Sequence, residues 1–274
     1  MYSRVYVEIT NICNMHCSFC HGHSRAPRQM TESEYLHILE QLKGKTQHVY
    51  HHLMGEPLVH PLLPRFIEVS YASGFRPMIT TNGTLLAKSG DAILIPGLHK
   101  INISLHSFEK DAPEDQIRYI RQVAEFAHKA NGSDIIISLR LWNNGCDNGK
   151  NNITVKTLQE YLPGQWQENT RGYRIRDKLF LEWGDRFEWP DKSAPDQGDR
   201  LYCHGLQDHF GILCDGTVVP CCLDSDGVIN LGNVFREDLS DILSSPRALA
   251  IVEGFRRRKA PEDLCHRCGY ARKF

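Results

Sequence analysis

The sequence predicts an α/β fold, with successive βα units laid around a parallel sheet and a smaller module of different texture behind it. Three observations carry this expectation. Six extended apolar runs alternate with helix-like stretches between residues 4 and 183, the pattern of a parallel sheet whose crossovers are helices. The 274 residues, 41% hydrophobic and 24% charged, suffice for one large domain with an appendage and fit no disordered, collagenous or coiled-coil class. After Trp183 the chain becomes rich in Pro, Asp and Gly over residues 189–198, then resumes with hairpin and helix signals from Leu201. The expected boundaries are therefore 1–188, a linker at 189–200, and 201–274.

In chain order, the candidate strands are residues 4–10, 47–54, 75–82, 98–106, 134–142 and 172–183, the last unusually long. Thr31 with Glu34 three residues on forms a capping box that opens the first helix. Pro61 and Pro64 open the next, and Pro113 heads a helical segment reaching Ala130. In the second module, Asp215-Gly216 between β-branched and apolar residues marks a hairpin over 211–220. A helix over about 239–258 follows, and the chain closes on Cys265-His266-Arg267-Cys268.

Lys and Arg number 32 against 33 Asp and Glu, so no global field recruits a polyanion and no nucleic acid partner is expected. No apolar run reaches the roughly 18 residues of a membrane span, and Arg4, Glu8 and Asn11 interrupt the start where a signal peptide needs an apolar stretch. A cytoplasmic protein without membrane attachment is expected. Ten cysteines then stand out, because reducing conditions disfavour structural disulfides and leave metal ligation as the leading explanation.

Cys13-x3-Cys17-x2-Cys20 follows the first candidate strand, where α/β barrels place their chemistry. A closed zinc site wants four ligands, and neither this spacing nor His16, His21 and His23 forms a standard zinc signature. A four-iron cluster held by three thiolates fits better and leaves one iron for a small molecule. Zinc remains the alternative.

These residues resemble the radical S-adenosylmethionine superfamily, defined by a Cys-x3-Cys-x2-Cys loop after the first strand of a partial (β/α)6, TIM-like barrel. Phe19 stands at the family's aromatic position, near the adenine of the cofactor. Met54-Gly55-Glu56-Pro57 resembles the Gly-Gly-Glu-Pro motif at the end of the second strand, with Met in place of the first Gly. That resemblance assigns cofactor contacts to Gly55, Glu56 and Pro57. Thr81-Asn82-Gly83 ends the third strand as in many relatives, and Ser104-Leu105-His106 resembles the fourth-strand stretch beside the ribose and carboxylate. Asn82, Ser104, His106 and, on the fifth strand, Arg140 complete the implied cofactor set. The resemblance implies a [4Fe–4S] cluster on Cys13, Cys17 and Cys20, S-adenosylmethionine on its open iron, and a one-electron donor such as flavodoxin or ferredoxin. It also implies reductive cleavage of that cofactor to a 5′-deoxyadenosyl radical.

In the second module, Cys203, Cys221, Cys265 and Cys268 can supply four thiolates. The layout resembles the shortened, or twitch, form of the SPASM domain, which holds one auxiliary [4Fe–4S] cluster, with zinc as the alternative. Cys221 is chosen over Cys222 on spacing. Cys222 and Cys214 remain as spare thiols, with Cys222 the candidate hydrogen donor to a substrate radical, and Cys146 is a bystander.

Twelve residues precede Cys13, which leaves no space for a peptide-recognition domain, so a small-molecule substrate is expected. Arg176 and Glu182 are its candidate contacts, together with His51, His52 and Arg174, and Trp183 and Trp189 are possible walls. The leading expectation is hydrogen abstraction from a small polar metabolite, with the auxiliary cluster accepting an electron. Three alternatives stand beside it. They are a redox-neutral lyase of the queuine-cleaving kind or an epimerase, a peptide or protein maturase, and a non-catalytic metal or redox sensor.

Overall fold

The computed structural model describes residues 1–108 and 112–273. Its elements in chain order are β1 (Arg4–Val7), α1 (Glu32–Leu42), β2 (His48–Tyr50), α2 (Leu63–Ala72), β3 (Arg76–Thr81), α3 (Leu86–Ser89), β4 (Lys100–Ser104), α4 (Pro113–Lys129), β5 (Ile136–Asn144) and α5 (Lys150–Tyr161). They continue as β6 (Gln167–Asn169), β7 (Gly172–Arg176), β8 (Leu179–Asp185), β9 (His209–Ile212), β10 (Val218–Val219), α6 (Leu239–Leu243), α7 (Pro246–Arg256) and α8 (Asp263–His266).

Strand residues divide between two faces with period two. On β1, Val5 and Val7 are fully buried against the helical layer, and the alternate positions Arg4 and Tyr6 line the inner cavity. On α4, Ile120, Val123, Ala124 and Ala127 recur at helical spacing and are all buried. These faces meet in a core that also takes in Phe66, Ile79, Ile103 and Leu139. The capping box on α1 forms as read: Thr31 Oγ1 accepts from Glu34 N at 3.3 Å, and Glu34 Oε2 accepts from Thr31 N at 2.9 Å.

The strands form one sheet in the order β10-β9-β1-β2-β3-β4-β5-β8-β7-β6. Every pair from β9 through β8 is parallel, and the outer pairs are antiparallel. This sheet and its crossover helices form a mixed α/β architecture compatible with a partial barrel.

Three expectations change. The long strand at 172–183 is a hairpin, β7 and β8, of which β8 is the sixth parallel strand beside β5. Its turn runs through Lys178 at φ +56°, a left-handed position that usually calls for Gly or Asn, so the sequence carried no turn signal there. The helix expected over 239–258 is broken into α6 and α7 where Ser245 caps a new start and Pro246 occupies its first turn. The predicted second-module hairpin does form, as β9 and β10, but it docks on the main sheet. Arg4 pairs with His209 and Val7 with Ile212 in a parallel ladder.

Candidate active site

The C-terminal ends of the parallel strands face one side, the side on which α/β sheets carry chemistry. There the chain leaves β1 into a long loop that returns at Gln29, bridged to Thr10. Buried Asn11 closes the loop base, because its Nδ2 donates to Ala26 O at 2.9 Å and its Oδ1 accepts from Arg28 N at 2.7 Å. Cys13, Cys17 and Cys20 hang from this lasso. The loop is also clamped below by Arg25, whose guanidinium meets both oxygens of fully buried Glu8 at 2.6 and 2.7 Å.

Gly55 sets how closely the second-strand loop approaches. Its φ is +76°, and a Cβ there would lie 2.4 Å from the carbonyl oxygen of Thr10. The next residue hydrogen-bonds across the gap, Glu56 N to Ile12 O at 2.9 Å. The Glu56 carboxylate, 1% exposed, accepts from Thr81 Oγ1 at 2.6 Å, Asn82 N at 2.7 Å and Leu58 N at 3.0 Å. It therefore braces the ends of β2 and β3, and Pro57 starts the short turn that it caps. Asn82 continues the brace by donating to Asn14 Oδ1 at 3.0 Å, with its amide nitrogen 3.9 Å from Cys13 Sγ.

Phe19 and His106 have ring centroids 4.8 Å apart, joining the cysteine loop to the end of β4. His106 Nδ1 lies 3.2 Å from the carbonyl oxygen of Arg140, and burial pushes its pKa down to about 4, so it is neutral near pH 7. Arg140 stacks over Trp142 at 4.6 Å and stands 3.6 Å from Glu182. Burial, partly offset by Glu182, lowers the Arg140 pKa.

Cys13, Cys17, Cys20, Phe19, Gly55, Glu56, Asn82, His106, Arg140 and Trp142 line a cavity of about 1190 Å³, as do Ser104 and Pro220. Cys203, Cys221, Cys222, Cys265 and Cys268 line it too, so both cysteine sets face one space. A single small-molecule pocket occupies about 300–1,000 Å³, and this volume exceeds that range as a site shared by several groups would.

Burial, opposed by a hydrogen bond from Ser107 and helped by Cys20 and Cys13, pushes Cys17 up to about 11. Burial also raises Cys221 strongly, with Cys222, Cys203, Cys265 and Cys268 adding to it. Cys222, also on the lining, hydrogen-bonds Tyr6. Thiolates on one tetrahedral zinc lie about 3.8 Å apart, given Zn–S bonds of roughly 2.3 Å. Among the described residues, the donor group that closes to within 4.8 Å is Asp196, Asp263 and His266, with no cysteine in it. The all-thiol donor sets suit iron–sulfur clusters.

Other candidates are placed outside this space. Arg176 lies on β7, 3.4 Å from His128 on α4, and does not line the cavity. Glu182 also lies off the lining, accepting from Ser138 Oγ at 2.5 Å and reaching the cavity only through Arg140. His51 is a core histidine, its Nε2 2.6 Å from the Tyr35 hydroxyl, and Arg174 pairs with Asp177. Trp183 packs on the core, whereas Trp189 lines the cavity beside His21. Cys214 is buried with its sulfur 3.7 Å from Arg25, and Cys146 is exposed. Sequence reasoning missed Arg4, Tyr6, Tyr50, Trp142 and His209 on the cavity wall. The available signal was the polar alternation Arg4-x-Tyr6-x-Glu8 and Tyr50-x-His52 on strands otherwise apolar.

Thiols gathered at the C-terminal ends of parallel strands mark the class, an α/β enzyme working through thiolate-held metal clusters. Within that class the chain belongs to the radical SAM superfamily, whose family model matches residues 7–148. A second model, the SPASM iron–sulfur cluster-binding domain, matches residues 203–269. The first implies a [4Fe–4S] cluster and S-adenosylmethionine, and the second auxiliary iron–sulfur clusters, which sets zinc aside. Among curated proteins, a GTP 3′,8-cyclase of Chlorobaculum tepidum is 30% identical over 112 residues, 39% of this chain and 34% of that protein. An S-adenosylmethionine-dependent nucleotide dehydratase of Selenomonas ruminantium is 30% identical over 87 residues, 31% of this chain and 32% of that protein. The chain thus spans about a third of the length of these relatives. Among solved structures, BtrN in complex with AdoMet and 2-DOIA aligns with 98% of this chain and 93% of its own, at TM-score 0.58 and 19% identity. Streptococcus suis SuiB bound to S-adenosylmethionine aligns over 98% and 69%, at 0.62 and 17%. These two share the fold. No helix among the described residues is long and apolar enough to cross a membrane.

Proposed function

We propose that this radical SAM enzyme abstracts hydrogen from a small polar metabolite held between its two cysteine sets, and that the auxiliary cluster accepts the electron released. The observation that carries this reading is the shared cavity, whose lining includes Cys13, Cys17 and Cys20 together with Cys203, Cys221, Cys265 and Cys268. Residues 1–188 would form the radical domain and 201–274 the auxiliary module. When bound, the cluster and S-adenosylmethionine supply a 5′-deoxyadenosyl radical.

The chain's own groups bind, orient and shield. Cys13, Cys17 and Cys20 hold the first cluster and the four later cysteines the second. The backbone at Gly55 and Glu56, fixed by the Glu56 carboxylate, takes the methionine end of the cofactor, and Phe19 with neutral His106 packs against its nucleoside. Ser104, Asn82 and Arg140 complete its polar contacts. Aromatic walls at Trp142, Phe187 and Trp189 exclude water and stray hydrogen donors.

One observation favours a redox-neutral variant of this chemistry. Cys222 faces the cavity with its thiol against Tyr6, placed to break its S–H bond and give the hydrogen atom to a substrate carbon radical. The resulting thiyl would need one electron and one proton from an external donor such as reduced flavodoxin.

Single cysteine variants test the reading. Cys13→Ala, Cys17→Ala or Cys20→Ala should abolish 5′-deoxyadenosine formation under dithionite, and Cys265→Ala or Cys268→Ala should keep some formation and stop product turnover. Unchanged product yield from the C-terminal variants would remove the electron-acceptor role. Turnover of Cys222→Ala at the wild-type rate would remove the redox-neutral one.

A further inference from the structure

We infer that the lower lumen of this cavity is a subsite for a compact oxyanion, centred on Arg4, so that the substrate carries a phosphate or carboxylate group. The inference rests on the cavity being the site of a small metabolite. It begins with four buried polar atoms that have no hydrogen-bond partner: Arg4 Nε, His52 Nδ1, Arg140 Nε and His209 Nδ1. All four residues line the cavity. A buried donor left unmade carries a desolvation penalty, and several in one space mark where a ligand supplies acceptors.

Their arrangement is compact. The Tyr6 ring is the hub, with the His52 and His209 rings each 5.7 Å from it and the Tyr50 ring 5.1 Å away. Arg4 and His209 are direct neighbours across the β1–β9 ladder. Both Arg4 and Arg140 interact electrostatically with Tyr6 and Tyr50. Burial drives His52 down to about 3 and His209 to about 4, so both imidazoles are neutral near pH 7 and the positive charge here belongs to the arginines.

Two carboxylates stand near these atoms beyond hydrogen-bond distance: Asp208 Oδ2 is 3.8 Å from His209 Nδ1, and Glu182 Oε2, off the lining, is 3.6 Å from Arg140 Nε. Glu56 is held by three donors, and Asp224 accepts from Val228 N and Ile229 N at 2.8 Å each. Asp208 takes Arg4 through Nη2 at 3.1 Å, which leaves Arg4 Nε uncommitted. The subsite is also remote from the cysteine loop. Arg4 precedes Glu8 by four strand positions, about 13 Å at roughly 3.3 Å per residue, and Glu8 lies under the Met54-Gly55 turn. An anion anchored at Arg4 would hold the rest of a small substrate upward, toward the strand ends.

The test uses the reconstituted, dithionite-reduced holoenzyme with saturating S-adenosylmethionine, so that the cofactor's own carboxylate site is filled. The probe is inorganic phosphate, read by 31P line broadening from the paramagnetic clusters, with acetate methyl broadening as the carboxylate arm. Wild type should broaden at least one probe saturably, and the stronger arm identifies the oxyanion. Arg4→Gln should weaken that binding by about tenfold, the loss of one charge-assisted bond. Asp208→Asn, which frees Arg4 of its counter-charge, should tighten it severalfold. Opposite signs in the two variants separate this effect from a loss of folding. Equal, unsaturable broadening in all three proteins would mean an adventitious ion only, and no broadening by either probe would mean a neutral substrate; each result overturns the inference. Saturable, Arg4-dependent binding in a protein that forms no 5′-deoxyadenosine would instead overturn the proposed function and leave the subsite standing.

Discussion

At Gly55 the second-strand loop and the cysteine loop come within contact distance, and the backbone tolerates no side chain there. A Cβ would meet Thr10 O at 2.4 Å and Asn11 C at 2.9 Å, on a φ of +76°. Gly55→Ala is therefore expected to cost at least about 2 kcal/mol from strain and displacement. Thermal unfolding and iron content check this, and an unshifted transition with full iron would contradict it. The neighbouring Met54 needs no such freedom. Its N–H donates to Glu8 Oε1 at 3.2 Å and its side chain packs with Leu53, Leu213 and Val219, so replacing the motif's first Gly leaves the turn intact. The role of the Glu56 carboxylate was not legible in the motif, because its three donors come from Leu58 and from the end of a different strand. Arg4 and Tyr6 escaped notice because polar residues alternating on a short strand also describe a solvated sheet face. What identifies them is His209, which is 205 residues away from Arg4 in sequence and beside it in the sheet.

At the scale of elements, the cysteine loop is tied into three parts of the molecule through one buried ion pair. Glu8 accepts from Arg25, from Met54 N and from Cys214 N at 3.0 Å, and Arg25 Nε donates to Ser225 O at 2.8 Å. Next to it, Ser24 N and Oγ both donate to Asp226 Oδ1, at 2.6 and 3.0 Å. The loop, the β2 turn and the auxiliary module thus share one set of contacts. Removing one partner of such a pair strands the other, so Glu8→Ala should cost about 3–5 kcal/mol. The double change Glu8→Met with Arg25→Met should recover part of that loss. Urea unfolding of the three variants provides the measurement, and a single-variant loss below about 1 kcal/mol would contradict the role assigned to the pair. None of this was readable beforehand, since buried charges at positions 8 and 25 carry no local signature. Elements with local signals fared better. The Thr31 capping box, the Pro113 helix start and the Asp215-Gly216 hairpin all formed, whereas the β7–β8 turn on Lys178 had no Gly or Asn to announce it.

At the scale of the whole molecule, the docking of β9 on β1 brings the module that carries Cys203, Cys221, Cys265 and Cys268 to the cavity that Cys13, Cys17 and Cys20 also line. The first five strands and the helices between them were legible because periodicity is local, and the cysteine sets because their spacing is. That both sets open on one cavity depends on a parallel strand pairing made across about 200 residues, which no window of sequence contains. The proposed reaction requires two clusters serving one radical site. Its most direct test is anaerobic reconstitution of the full chain, counting iron and sulfide and assaying 5′-deoxyadenosine under dithionite. The prediction is about eight irons per chain, at four per cluster on each cysteine set, with deoxyadenosine formed. About four irons with one zinc would reduce the C-terminal module to a structural role, and a fully loaded protein that forms no deoxyadenosine with or without candidate substrates would contradict the account.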